Sequence, residues 1–229
     1  MVQNEPLCSH IIGGAKPWVG EDAMEDSRIE NVYSRSHQTK LKIASTLNML
    51  CTVMDFSEVK VEEVARLACV SRSGFYYHFS DLNEVVTWLS QQCYARGIDQ
   101  IGRTLTWLEG NLITTHCIHR YKDLFTKGGT SRDYSAGVPF FIRHRRQNLI
   151  ETIVEYKGLE LTKTLAFQVE ALPYLEMNMS NNFGNEKYEL SVQEYAELLT
   201  SCVPRELFET LNVPVTPSSI SDDMLSMLL

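Results

Sequence analysis

The chain has 229 residues, of which 44% are hydrophobic and 22% charged, with a formal net charge of -8. This is the balance of an ordinary globular protein, long enough for one large domain or for a small domain attached to a larger one. Its longest apolar runs are only a few residues, which excludes a membrane span of roughly 20.

The opening MVQNEPLCSHIIGGAKPWVG lacks the basic start and continuous apolar core of a signal peptide. Six cysteines (8, 51, 69, 93, 117 and 202) are scattered without a Cys-x-x-Cys pair. That spacing argues against a disulfide framework and a four-cysteine zinc site, and a reducing cytoplasm is the expected location. Residues 1–34 carry a net charge of -4, residues 35–96 +1 and residues 97–229 -5. The only region that is not acidic is thus the second, which permits nucleic-acid binding without requiring it.

Residues 1–37 mix Gly, Pro and acidic side chains without periodicity and are expected to form a flexible arm. From Thr39 to Met54, Leu41, Ile43, Ala44, Leu47, Leu50 and Cys51 recur three and four apart, predicting a helix with one apolar stripe. A second helix fits Val61 to Ala68, with Val61, Val64, Ala65 and Ala68 on one face. Ser71 is a suitable N-cap for a third and Asp81 for a fourth, in which Val85, Trp88, Leu89 and Gln92 share a side. The fourth helix should fray or bend near Gly97.

Ile98 to Phe125 is again helix-like, with Ile101, Leu105, Leu108, Leu112 and Ile113 as its apolar positions. Lys127 to Ala136 (KGGTSRDYSA) predicts a loop. Two long helices follow, Val138 to Tyr156 and Leu159 to Leu172, with Pro173 placed to end or kink the second. Met177 to Tyr188 predicts a second polar loop. Shorter helices span Ser191 to Ser201 and Pro204 to Leu211, the latter with proline in its first turn. Residues 212–229 read as a linker and a short apolar tail. No alternating strand pattern persists, so the expected class is all-α.

The segment Val61 to Asp81, VEEVARLACVSRSGFYYHFSD, joins two helices through the three-residue turn Cys69-Val70-Ser71, the dimensions of a helix-turn-helix. Phe75 and Phe79, four apart, belong to the inner face. Arg72, Ser73, Tyr76 and Tyr77 are left pointing outward, and Gly74 permits close backbone approach by a partner. Exposed aromatics on a short helix imply a partner surface. In such a motif the N-terminal residues of the second helix meet base edges in the major groove. Arg72 suits a bidentate contact to guanine, Ser73 either edge, and Tyr76 apolar and hydroxyl contacts. Tyr77 and His78 are better placed for phosphates.

The pattern A-x-x-A-x-V-S-x-x-x-F-Y-x-H-F, from Ala65 to Phe79, resembles the DNA-binding domain of the TetR/AcrR transcriptional regulators over about residues 38–90. The resemblance implies base-reading positions at Arg72, Ser73 and Tyr76, and phosphate-contacting positions at Ser71, Gly74, Tyr77 and His78. Three departures stand out. Cys69 occupies a turn position that is commonly glycine, Lys60 a capping position that is often Ser or Thr, and Leu82 the place of a lysine that touches phosphate. The last should weaken binding and lower the salt slope by about one unit.

The resemblance also implies a larger C-terminal helical domain, residues 91–211, that binds a small effector and dimerises. Its apolar and aromatic residues suggest a moderately hydrophobic ligand, with Trp107, His116, Tyr121, Phe125, Phe141 and Arg143 as candidate lining residues. His116-Cys117-Ile118-His119 invites a metal reading, but the ligating residues do not share one helical face and no second pair completes a site. No metal or cofactor is expected. Arg143-His144-Arg145-Arg146 is a compact basic cluster that suits an anionic effector, or a solvated face paired with acidic neighbours. There is no nucleophile–base pair, paired carboxylate or phosphate-cradling loop, so an enzyme is not expected. The leading reading is a homodimeric, ligand-responsive repressor on a palindromic double-stranded operator. The alternative is a protein-binding adaptor or co-activator of the same fold that has lost tight DNA binding.

Overall fold

The structure is a computed structural model that describes residues 35–129, 137–183 and 190–215. The described residues form helices without a β-strand, and divide into two compact units, one ending at Val85 and one beginning at Val86. The expected all-α class is observed. Residues 1–34, 130–136, 184–189 and 216–229, which include most of the arm and tail, lie outside the described residues.

In the first unit, α1 (Arg35–Val53) buries Ile43, Ala44, Leu47, Leu50 and Cys51, the stripe read from its spacing. It starts four residues earlier than Thr39. A short 3-10 turn, Phe56–Glu58, leads to α2 (Val61–Leu67) and α3 (Arg72–His78). The three helices pack on one another, and Phe75 and Phe79 are almost fully enclosed at 0% and 2% exposure. Helix α4 (Leu82–Arg96) starts in this unit and continues into the second. The Asp81 carboxylate accepts from the Glu84 backbone N–H at 2.8 Å, so it caps α4 as expected.

In the second unit the chain departs from the single helix expected over 98–125. It makes a 3-10 turn at Ile98–Gln100, then α5 (Trp107–Arg120) and α6 (Lys122–Gly129). The break has local causes. Gly102 adopts φ +79, and Thr106 and Glu109 form a reciprocal capping box that starts α5 afresh. Consequently Leu108, assigned to the apolar face, is 37% exposed. Gly97 and Gly110 let the turn and α5 approach closely, since a Cβ at Gly97 would sit 2.0 Å from Thr114 Oγ1. Lys127 to Gly129, expected in a loop, belong to α6.

Helix α7 (Gly137–Glu151) ends in a π-turn, Thr152–Tyr156, where Thr152 Oγ1 donates to the Asn148 carbonyl at 2.7 Å. Helix α8 starts at Lys163 and runs to Phe183 through Pro173, which does not end it. Residues 177–183, expected in a polar loop, are therefore helical. Pro173 is buried, and packing of α8 on α7 and α10 offsets the hydrogen bond that proline removes. Helix α9 (Val192–Ser201) has a Ser191–Glu194 capping box, and α10 (Arg205–Leu211) follows Pro204, which takes the N-cap and not the first turn. Helices α5 and α9 pair, as do α7 and α8, around Tyr94, Ile101, Trp107, Leu149, Ile153, Val169 and Leu207.

Candidate nucleic-acid interface

The turn between α2 and α3 explains why α3 stands where it does. Cys69 has φ +56, the left-handed conformation that glycine normally supplies. Around it the Val70 N–H donates to the Ala65 carbonyl at 2.9 Å and the Cys69 N–H to the Arg66 carbonyl at 3.3 Å. That is a Schellman motif closed on a residue with a Cβ. The strain anticipated for a cysteine here is thus a feature of the structure, at roughly 1–2 kcal/mol for a non-glycine residue.

One residue later Ser71 caps α3. Its Oγ accepts from the Gly74 N–H at 2.9 Å and lies 3.0 Å from Ser73 Oγ. A Cβ at Gly74 would sit 3.1 Å from that same Ser71 Oγ, so the glycine accommodates the cap as well as any close partner. Lys60 stands at the N-cap of α2 without a side-chain cap bond.

On the outer face, Tyr77 is 84% and Tyr76 46% exposed, and Ser71, Arg72 and Ser73 are exposed too. Arg72 is held in two ways. Nη1 pairs with Glu62 Oε1 at 3.1 Å, and the guanidinium lies over the Tyr76 ring at 5.7 Å. Glu62 is a feature that the sequence reading missed. Its signal was available, since acidic residues in the first turn of α2 complement that helix's dipole. His78 differs from its neighbours. It is half-buried, Nδ1 lies 3.4 Å from Ser36 Oγ of α1, and the Tyr77 ring meets it edge-on. Burial, with the Lys40 charge second, lowers its pKa from the ordinary 6.5, so at neutral pH it is an uncharged imidazole. Lys40 itself lies over Phe79 at 5.2 Å. Leu82, in place of the expected lysine, is partly buried in the first turn of α4.

The six candidate lining residues of the second unit are spread out. Trp107 is fully buried beneath Arg145, and Phe141 is buried edge-on to Tyr94. His116, Tyr121 and Phe125 are partly buried. Burial first, then the charges of His119 and Arg120, lowers the His116 pKa. Only Arg143 lines the cavity of about 470 Å³ that opens between α7 and the turn after α4, where Asp99, Arg103, Phe140, His144 and Glu151 also contribute walls. Two of that wall's carboxylates are engaged. Asp99 meets His144 at 2.9 Å and Glu151 meets Arg103 at 3.2 Å, which leaves Arg143 as an exposed cation.

The basic cluster is not one solvated face. Arg146 pairs with Glu170, but Arg145 is completely buried. It bonds Glu176 at 3.1 Å, the Ile98 carbonyl at 2.8 Å and Asn148 Oδ1 at 2.9 Å. No group of three or more metal-ligating side chains occurs among the described residues, and none of their helices is long and apolar enough to cross a membrane.

No protein-family model matches the sequence, and no curated protein matches it either. Solved structures do. One is described as the dihydroxyacetone kinase operon activator DhaS, with a TM-score of 0.57 and 13% identity over 76% of this chain and 96% of that one. Another is a tetR-family transcriptional regulator from Streptomyces coelicolor, with a TM-score of 0.50 and 14% identity over 83% of this chain and 86% of that one. At such identities the likeness speaks for the fold. This chain has the TetR-type fold, in which a three-helix unit containing a helix-turn-helix is followed by a larger helical unit.

Proposed function

We propose that the protein is a ligand-responsive transcriptional regulator that binds a palindromic operator as a homodimer and acts as a repressor. The observation that carries this reading is the outer face of α3. Arg72, Ser73, Tyr76 and Tyr77 are held outward on a capped helix whose inner rings are locked in the core. That is the arrangement a major-groove reader needs. Residues 38–90 then form the DNA-binding domain and 91–211 the effector and dimerisation domain, between the arm of residues 1–37 and the tail of 212–229. Both structural neighbours are described as regulators, one of them an operon activator. A promoter–reporter assay therefore fixes the sign, and repression is the expected result.

Dimerisation is supported by α8. Phe167 (76% exposed), Ala171 and Tyr174 (60% exposed) recur at the i, i+4, i+7 spacing of one exposed stripe. A palindromic operator read by a homodimer would place its two half-sites one helical turn of DNA apart or a multiple of it. The cavity beside Arg143 is the place for a small effector, whose binding would favour one spacing of the two heads over another.

A mobility-shift assay with DNA flanking its own coding region tests the central claim. Arg72→Ala and Tyr76→Ala should each weaken operator binding roughly tenfold to a hundredfold while the protein stays folded. Binding by both variants at the parent's affinity would remove α3 from its assigned role. The adaptor reading keeps one specific support. Residues 35–85 carry six basic and six acidic side chains, and the one arginine on α3 is already paired with Glu62. Absence of binding even at low salt would favour it.

A further inference from the structure

Most polar side chains that line the cavity between α7 and the turn after α4 are engaged by the protein itself. Asp99 holds His144 and Glu151 holds Arg103. The Asn148 amide donates to the Asp99 carbonyl at 3.0 Å, and the Gln100 amide to the Ala95 carbonyl at 3.0 Å. Two polar side chains differ. Arg143 and Gln147 line the same cavity, are exposed, and make no hydrogen bond or ion pair among the described residues. They stand four residues apart on α7, so their polar ends are neighbours on one helix face.

A guanidinium and a primary amide one turn apart form a donor set for a carboxylate. The guanidinium fork meets two carboxylate oxygens at once, and the amide NH2 adds a further donor. The charge balance of the walls sets how much negative charge fits. Arg103 is already neutralised by Glu151 at 3.2 Å and fixed by Thr152 Oγ1 at 2.9 Å and the Tyr156 ring at 4.1 Å. Arg143 is therefore the cation left over, and it suits a single negative charge. A phosphate dianion would bring a second charge towards Asp99 and Glu151, whose repulsion opposes it. The rest of the wall suits a flat apolar body. Phe140 is partly exposed, and its ring is backed by the His144 ring at 5.9 Å and 12°, with Tyr94 beyond at 6.3 Å and 29°. A ring fixed in this way offers its face to another aromatic. The volume, about 470 Å³, lies within the range of small-molecule sites.

We propose that this cavity takes a small aromatic monocarboxylate, with the carboxylate held by Arg143 and Gln147 and the ring laid against Phe140. The proposal rests on the reading of this cavity as the effector site and names the effector's chemical class.

The test is calorimetric titration of the full chain with benzoate as the probe, with benzamide as its uncharged counterpart and inorganic phosphate as competitor. Benzoate should bind with a Kd of roughly 0.1–1 mM, as befits so small a ligand, and benzamide roughly tenfold more weakly. Arg143→Gln should weaken benzoate roughly tenfold, and Gln147→Leu and Phe140→Ala each roughly threefold. Arg143 and Gln147 are exposed and unpaired, so their variants should fold as the parent does. Benzoate that fails to bind at roughly 10 mM, or that binds no better than benzamide, overturns the ligand class. Phosphate that displaces benzoate at equal concentration overturns the single-charge assignment. Arg143→Gln and Gln147→Leu proteins that both bind benzoate at the parent's affinity overturn the site. Calorimetry needs no DNA, so these results stand apart from the role of α3. Benzoate that binds as expected but leaves operator affinity unchanged in a mobility-shift assay supports the ligand class and counts against the effector reading instead.

Discussion

The two units each contain an arginine–glutamate pair that closes at 3.1 Å, and the pairs do opposite work. Arg72–Glu62 lies on the first unit's surface, with side chains 64% and 55% exposed. Water screens it, and such pairs contribute at most about 1 kcal/mol. Arg145–Glu176 lies in the second unit's core at 0% and 10% exposure, with Trp107 beneath the guanidinium and a backbone carbonyl and an amide satisfying the rest. The exposed pair leaves its arginine available to a ligand. The buried pair ties α7, α8 and the turn after α4 into one arrangement, since a misplaced partner would strand a charge.

The largest break in the comparison is Glu176→Ala. It leaves Arg145 enclosed without its carboxylate, and the expected loss is about 3–5 kcal/mol of unfolding free energy, read by urea denaturation. Replacing both residues, as in the Arg145→Met, Glu176→Leu double variant, should recover most of that loss. If Glu176→Ala is no more damaging than an exposed substitution, the buried pair is not what specifies this core.

That same contrast explains what the sequence could reveal. The first unit is built from neighbours in the chain. Ser71 caps onto Gly74, Phe75 and Phe79 face inward four apart, and the left-handed turn falls on Cys69, so spacing alone located the motif. In the second unit the decisive contacts are distant. Arg145 is buried because Glu176, 31 residues on, and the turn at Ile98 surround it, which no local pattern of RHRR encodes. Pro173 likewise reads as a helix end until the packing of α8 is known. The end of α4 at Gly97 was legible in the sequence, whereas Gly102, which breaks the helix expected over 98–125, was visible as a residue but its close contacts with Thr152 and Leu211 were not.

In the first unit the constraint lies in the backbone, not in charge, and Cys69→Gly sharpens that point. Glycine removes the left-handed penalty of roughly 1–2 kcal/mol but adds freedom to the unfolded chain, so a net gain of about 0.5–1 kcal/mol is expected in reducing buffer. Unchanged or lower stability would show that the Schellman turn carries no strain at Cys69. A smaller effect, on binding and not on folding, follows from Glu62→Gln. Releasing Arg72 from an exposed partner should tighten operator binding roughly two- to fivefold at low salt, while stability shifts by less than about 1 kcal/mol. A looser complex would mean that Glu62 positions the arginine and does not compete for it.

The smallest expected effect concerns His78, whose place against α1 separates it from the open face beside it. Its folded-state pKa is lowered from 6.5 by burial and by Lys40. The unfolded chain therefore binds its proton more readily. Between the lowered value and 6.5, stability rises with pH. The contribution is complete above 6.5 and is lost as pH falls through that window. Urea denaturation near pH 7.5 and near pH 5 should show a pH-linked loss in the parent that is reduced in His78→Asn. Equal losses in both would assign the pH dependence to other groups. The same neutrality limits what His78 offers a phosphate. Above its pKa it provides one hydrogen bond and no countercharge, so His78→Asn should leave the salt slope of DNA binding unchanged at neutral pH, whereas Arg72→Ala should lower it.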